Sequence, residues 1–328
     1  MTARPLEIVS ASALMTAMLA ERPWYVEGLL TSGVTLLVGD PKVGKSWLVL
    51  DLLRCLSSGE ALWGCATRRV DVLYLALEDT LPRLQQRLWR LADEASEGYR
   101  IALTAGAIDD GLLDQLEGHL DAYPATRVIA VDTLRLVRGS SATSSSVYAS
   151  EYADVHRLKE LADAREIAII LVHHTRKMGD ADVFKLVSGS QGLMGAADQT
   201  MVLRRDDRAD ATATLSVTGR DVEYCELVLR FEDCRWALVE RLGEREIAER
   251  KAPPEMSEII ELVEAIGSWR GTATELAELI ACDVTPPVLA KRLAEHRRYL
   301  AERGVRVDRT RTSSARLILL RWEPPADA

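Results

Sequence analysis

The chain has 328 residues, 48% of them hydrophobic and 28% charged, with a formal net charge of −9. That length exceeds one small core and favours two domains, while the negative total excludes a uniformly basic nucleic-acid binder, so any contact with DNA must be local. Five cysteines (Cys55, Cys65, Cys225, Cys234 and Cys282) without paired metal spacing read as reduced thiols, no apolar run approaches the ~20 residues that span a bilayer, and a signal peptide's basic and apolar regions are missing from the N-terminus, so a cytoplasmic protein with no membrane partner is expected.

Residues 1–23 read as an N-terminal arm with a short helix, packed on the core or on a neighbouring subunit. Pro23, Trp24 and Tyr25 then lead to an apolar run at 34–38, a buried strand. It breaks into Gly39, Asp40, Pro41, Lys42, Val43, Gly44, Lys45 and Ser46, and Trp47 opens a helical stretch. A strand, a Gly-rich loop and a helix in that order form a phosphate-binding P-loop. Glycines remove Cβ atoms where backbone wraps an anion, and the freed N–H groups point inward at a helix N-terminus. Lys45 is expected on the β- and γ-phosphates and Ser46 on Mg²⁺, which makes ATP with Mg²⁺ the expected ligand.

The run 70–77 is a second buried strand, ending on Glu78 and Asp79. Carboxylates at such a strand end sit where ligands bind in open α/β sheets. Glu78 is the candidate to orient the attacking water, with Asp79 its rival; either also serves as an acid in the first turn of the helix that follows. Arg127 opens a third strand whose four apolar residues, 128–131, are closed by Asp132, in the Walker-B pattern whose carboxylate holds Mg²⁺. After Arg135 and Arg138 comes a tract of small hydroxyl residues at 139–146, either a DNA-facing loop or a linker to the next helix. The strand 167–172 runs into His173, His174, Thr175, Arg176 and Lys177. Adjacent histidines on extended backbone face opposite ways, so one faces the nucleotide and can sense its γ-phosphate. Strands at 199–203 and 212–217 end in Arg204-Arg205 and in Thr218-Gly219-Arg220-Asp221, and 226–231 returns as a hairpin. An arginine here is placed to complete a neighbour's site as a finger, Arg220 ahead of Arg204 and Arg205.

This ordered set of motifs resembles the RecA/DnaB-like ATPases, most closely the plasmid RepA-type hexameric replicative helicases and their relatives on phages and other mobile elements. The Leu-Glu-Asp strand end and His-His-Thr-Arg-Lys carry most of its specificity, and it covers roughly 24–240. The resemblance implies a RecA-like α/β core with a mainly parallel sheet and a C-terminal β-hairpin, and an ATP site shared between subunits of a ring or filament. It assigns Glu78 to water activation, Asp132 to the Walker-B acid, His174 to γ-phosphate sensing, Arg220 to the finger position and Arg87 to stacking on adenine. The implied nucleotide contacts run from Gly39 to Trp47, with Arg87. Thr218 stands where some relatives carry a lysine.

Residues 243–254 read as a linker between this ATPase domain (24–242) and a second domain at 255–323. There, amphipathic stretches at 256–266 and 274–281, a third helix from Thr285 and Pro286 to Arg303, and two short strands suggest a winged helix. From Lys291 to Arg321 ten basic residues face three acids, a local footprint for double-stranded DNA. The expectation is therefore a ring-forming ATPase, a hexamer passing single-stranded DNA through the ring. The alternatives are an ATP-gated DNA-binding regulator and a recombinase-type filament.

Overall fold

In the computed structural model the described residues are 8–19, 21–138, 147–174, 184, 191–205, 207, 210–311 and 316–324. The hydroxyl-rich tract at 139–146 and most of the basic stretch after His174 lie outside them. The chain divides into two compact units, Met1–Arg241 and Leu242–Ala328.

The first unit is built on a nine-stranded sheet. Its strands in chain order are β3 (Gly33–Gly39), β4 (Asp71–Ala76), β5 (Tyr99–Ala102), β6 (Thr126–Asp132), β7 (Ala168–His174), β8 (Gln199–Arg204), β9 (Thr212–Gly219), β10 (Cys225–Glu232) and β11 (Arg235–Gly243), after a small β1 (Trp24–Val26) and β2 (Leu30–Thr31) pair. They lie in the order β11-β10-β9-β8-β3-β7-β6-β4-β5. From β8 to β5 every pairing is parallel, whereas β9 pairs antiparallel with both β8 and β10. The central strand β3 is buried along its whole length. Alternation sends Val34, Leu36 and Val38 to one apolar cluster and Leu37 to the other, as a strand covered on both faces requires.

The expected strands at 70–77, 127–132 and 167–172, and the hairpin of β9 with β10, all form. Sequence patterning does not signal β5 or β11. β5 is only half-buried throughout, and β11 is exposed along Glu240 and Arg241, so neither shows the continuous apolar run of a central parallel strand. The helix α2 (Lys45–Ser58) starts at the P-loop and buries most of its circumference, α3 (Leu81–Leu91) follows β4, α4 (Leu112–Ala122) precedes β6, α5 (Leu134–Val137) and α6 (Val147–Arg165) come between β6 and β7, and α7 (Gln191–Ala196) precedes β8. In the arm, α1 (Ala11–Thr16) buries none of its residues, so it does not pack on the core of its own chain.

In the second unit the expected linker is partly regular: β11 continues to Gly243, and 244–251 form the helix α8 (Glu244–Lys251). Acids in its first turn and bases in its last suit the helix dipole. Then come α9 (Pro254–Ile266), β12 (Ser268–Gly271), α10 (Ala273–Leu279), α11 (Pro286–Glu295), α12 (Arg297–Glu302), β13 (Val305–Arg311) and β14 (Arg316–Trp322). The helix expected to run to Arg303 breaks at His296 into α11 and α12. A third strand, β12, joins the expected pair in the order β12-β14-β13. Thr272 and Glu275 form a reciprocal capping box that starts α10. Met256, Ile259, Val263, Leu276, Leu289, Leu293, Val305 and Leu320 are among the residues of its core.

Candidate functional site

Parallel pairing brings the predicted residues together. Gly39 ends β3 opposite His174 of β7 and Leu203 of β8, and Ala76 of β4 lies opposite Asp132 of β6. The C-terminal ends of these parallel strands therefore meet at one edge, where open α/β sheets place ligands. The loop that leaves β3 depends on its glycines. A Cβ on Gly39 would lie 2.5 Å from the Leu203 carbonyl oxygen, and Gly44 holds φ 112° as the N-cap of α2, a region that side chains disfavour. Between them Lys42 also takes positive φ.

Lys45 is buried. Its ammonium donates to the carbonyls of Gly39 (2.6 Å) and Asp40 (2.9 Å) and lies 3.1 Å from Nδ1 of His174. An ammonium carries only donors, so this Nδ1 accepts and the imidazole proton sits on Nε2, where it can be donated to an anion. Burial and the Lys45 charge both lower the His174 pKa, which keeps the ring neutral. Its neighbour His173 is lowered to about 4, chiefly by burial. Burial pulls Lys45 itself down to about 8 against the opposing pull of Asp132, Asp40 and Glu78.

Ser46 Oγ donates to Asp132 Oδ2 at 2.7 Å, and the buried Tyr74 hydroxyl donates to the same oxygen at 2.8 Å. Burial, with the Asp132 charge second, raises the Tyr74 pKa well above its ordinary value, so it remains a donor. A hydroxyl and a carboxylate at this spacing are hard oxygen ligands that suit Mg²⁺, which takes few protein ligands and completes its shell with water and phosphate oxygens. Among the described residues no group of three His, Cys, Asp or Glu could hold a metal ion.

The two acids after β4 part company. Asp79 is ion-paired with Arg87 (2.6 Å) and Arg83 (3.4 Å), whereas Glu78 accepts a hydrogen bond from Thr133 Oγ1 at 3.3 Å. Both carboxylate oxygens of Asp79 are thus engaged by guanidinium groups, whereas Glu78 meets only a hydroxyl, so the geometry favours Glu78 as the acid with room to orient a water. Arg87 also lies over the Trp47 ring, 5.3 Å from its centroid, which puts these two expected nucleotide contacts side by side.

Arg220 is not with this group. It follows Gly219, which pairs with Gln199 at the start of β8, at the sheet edge opposite the P-loop. There it meets the buried Asp198 at 3.3 Å, an acid that Lys159 also holds at 2.7 Å. Arg205 leaves β8 at the P-loop end and stacks on Trp236 and Phe231. Sequence reasoning missed Tyr74, Thr133 and Trp236. Tyr74 sits two residues before Ala76 and so shares its face of β4, the only trace it leaves in the sequence.

A family model described as an AAA domain matches residues 2–180. The DNA repair protein RadA of Mycobacterium tuberculosis, in strains CDC 1551 / Oshkosh and ATCC 25618 / H37Rv, is 31% identical over 153 residues, which are 46% of this chain and 29% of that protein. The matched segment thus spans less than a third of that relative. Among solved structures, one described as an ATPase domain is 17% identical with a TM-score of 0.52, covering 64% of this chain and 85% of its own. A DnaB-like replicative helicase, solved with its interactions with primase, gives 17% and 0.52 over 66% and 58%. The KaiC-like protein PH0186 of Pyrococcus horikoshii OT3 gives 12% and 0.50 over 66% and 94%. At these identities the likeness is one of fold, an α/β RecA-like core with a large, mostly parallel sheet.

Lys45 must be charged to attract a polyanion, and its charge is lost as the pH rises through about 8. ATP affinity, measured by equilibrium binding between pH 7 and 9.5, is expected to fall above pH 8 with log Kd rising by about one per pH unit. The Lys45→Met variant is expected to show no such rise.

Proposed function

The chain belongs to the AAA domain family, and on that premise we propose that it is a Mg²⁺-dependent ATPase acting on DNA, of the RepA-like hexameric replicative-helicase kind found on plasmids, phages and other mobile elements. The convergence of Lys45, Ser46, Asp132, Glu78 and His174 at one edge of a RecA-like sheet carries this reading. Backbone amides of the P-loop and Lys45 hold the phosphates, with Trp47 and Arg87 beside the base. Ser46 and Asp132 hold Mg²⁺, which supplies neutralisation of developing charge when bound. Glu78, kept in place by Thr133, orients water for attack on the γ-phosphorus, and His174 Nε2 donates to the γ-phosphoryl oxygens and registers their loss.

A subunit-interface site needs a cation from the neighbouring copy, and Arg220 is the proposed finger. Its contact with Asp198 is half-exposed on the arginine side, so a partner's phosphate has only a weak bond to displace. That same contact favours a second reading, an ATP-gated DNA-binding regulator that assembles without translocating, because it gives Arg220 a resting place in its own chain.

Helices α9, α10 and α11, with α12 and the β12-β14-β13 sheet, support a winged-helix reading of the second unit. Its positive charge is less available than its sequence suggests. Lys291, Arg292, Arg297, Arg298, Arg303 and Arg306 all have acidic partners within 4 Å. Arg311 lies directly opposite Arg316 across the hairpin, and Arg309 lies two residues away on the same face. Like charges facing each other across a ladder are mutually destabilising, a repulsion that DNA phosphates relieve. The wing is therefore the proposed contact with duplex DNA, and single-stranded DNA is proposed to pass through the ring.

Lys45→Ala and Glu78→Gln are each expected to abolish DNA-stimulated ATP turnover, Glu78→Gln while still retaining nucleotide, and Asp79→Asn to keep most of it; the reverse order for the two acids would reassign the base. Strand displacement on a forked duplex is expected under the helicase reading and absent under the regulator reading. Replacing Arg311 and Arg316 with alanine is expected to weaken duplex binding and to lower the slope of log K against log salt by about 1.8, while Arg298→Ala leaves that slope nearly unchanged.

A further inference from the structure

The aromatic group beside the P-loop belongs to no step described so far. Trp236, near the start of β11, is buried, and its indole N–H donates to the Gly44 carbonyl at 3.1 Å. Its ring also closes the space next to Gly44: a Cβ there would lie 2.8 Å from the indole carbon Cζ2. Trp236 is itself fixed on several sides. Trp63 Nε1 donates to its carbonyl at 2.6 Å, Phe231 packs against it with ring centroids 5.0 Å apart, and the Arg205 guanidinium stacks on it at 4.9 Å. Arg205 Nε is buried without a hydrogen-bond partner, and its guanidinium lies over the Phe231 and Trp236 rings.

We infer that Trp236 is a positioning residue for the P-loop, setting the orientation of the Gly44–Lys45 peptide before any nucleotide arrives. The inference rests on the ATPase reading. In a trans peptide the carbonyl and the next N–H point in opposite directions. The Gly44 carbonyl points along α2, where it accepts the helix's first bond from the Leu48 amide at 3.1 Å and a second from the indole, so the Lys45 N–H points the other way, off the helix N-terminus, where a phosphate would be met. Glycine at φ 112° has wide freedom in an unsupported loop. The indole removes that freedom in two ways, with a hydrogen bond and with a wall. The wall comes from the strand at the sheet edge, four strands away from β3, so the loop's shape depends on a strand remote in the sheet from the one it leaves.

Trp236→Phe keeps a wall but loses the donor; Trp236→Leu loses both. One neutral hydrogen bond corresponds to about fivefold in affinity. The expected result is that Trp236→Phe raises the Kd for ATP and for ADP by about fivefold each and Trp236→Leu by more, with kcat within about twofold of wild type. Equal effects on ATP and ADP separate loop positioning from γ-phosphate sensing, which moves ATP alone. In the nucleotide-free Trp236→Phe protein, amide exchange is expected to quicken over 40–48 and to remain unchanged over β9 and β10. Unaltered Kd values in both variants overturn the inference. So do faster exchange spread across β9 and β10 without change at 40–48, and loss of kcat at constant Kd. Failure of the wild-type chain to bind ATP overturns the nucleotide reading itself, and this inference with it.

Discussion

The parallel pairing of β3 between β7 and β8 is the constraint on which the candidate site depends. Its register puts Gly39 level with His174 and Leu203, and a slip of one residue would turn every side chain of β3 to the opposite apolar layer. The two faces of β3 feed separate clusters of buried residues, so such a slip would disturb the packing of both. The same packing that stabilises the sheet therefore fixes where the loop leaves it, and with it the reach of Lys45 to the neighbouring strand. The chemistry at the edge is a consequence of hydrophobic layering below it.

Much of this is legible in the sequence because central parallel strands advertise themselves. Runs such as 36–38 and 128–131 are apolar without alternation and end abruptly in glycine or acid, and both features come from burial on two faces beneath a polar edge. What escapes is of another kind. β11 carries Arg235, Glu240 and Arg241 along its length, so as an edge strand it looks like loop. The helix at 244–251 hides behind charge and nearby prolines because it buries little beyond Ile247. Tyr74, Thr133 and Trp236 act through single hydrogen bonds to residues 58, 55 and 192 positions away, and no local pattern marks a contact of that span. Glu78 and Asp79 look alike in the sequence for the same reason: the pairing of Asp79 with Arg83 and Arg87 that sets them apart is visible only once α3 is folded.

Charge illustrates the difference between counting and placing. Ten basic residues against three acids between Lys291 and Arg321 describe a strong field on paper. Acids from outside that window, Glu249 and Glu255 among them, lie against it in the folded unit. Coulomb attraction over a few ångströms offsets most of what the tally suggests, and the unscreened remainder sits on a hairpin rather than a helix. Composition windows overstate such fields wherever helices from elsewhere in the chain pack alongside.

The ammonium of Lys45, folded back on two carbonyls and an imidazole, has a consequence for ionic selectivity. An anion that draws this ammonium to itself must first displace contacts the lysine already makes, so part of its binding energy goes into freeing that side chain. An anion that meets the ammonium without also reaching the loop amides gains little from the exchange.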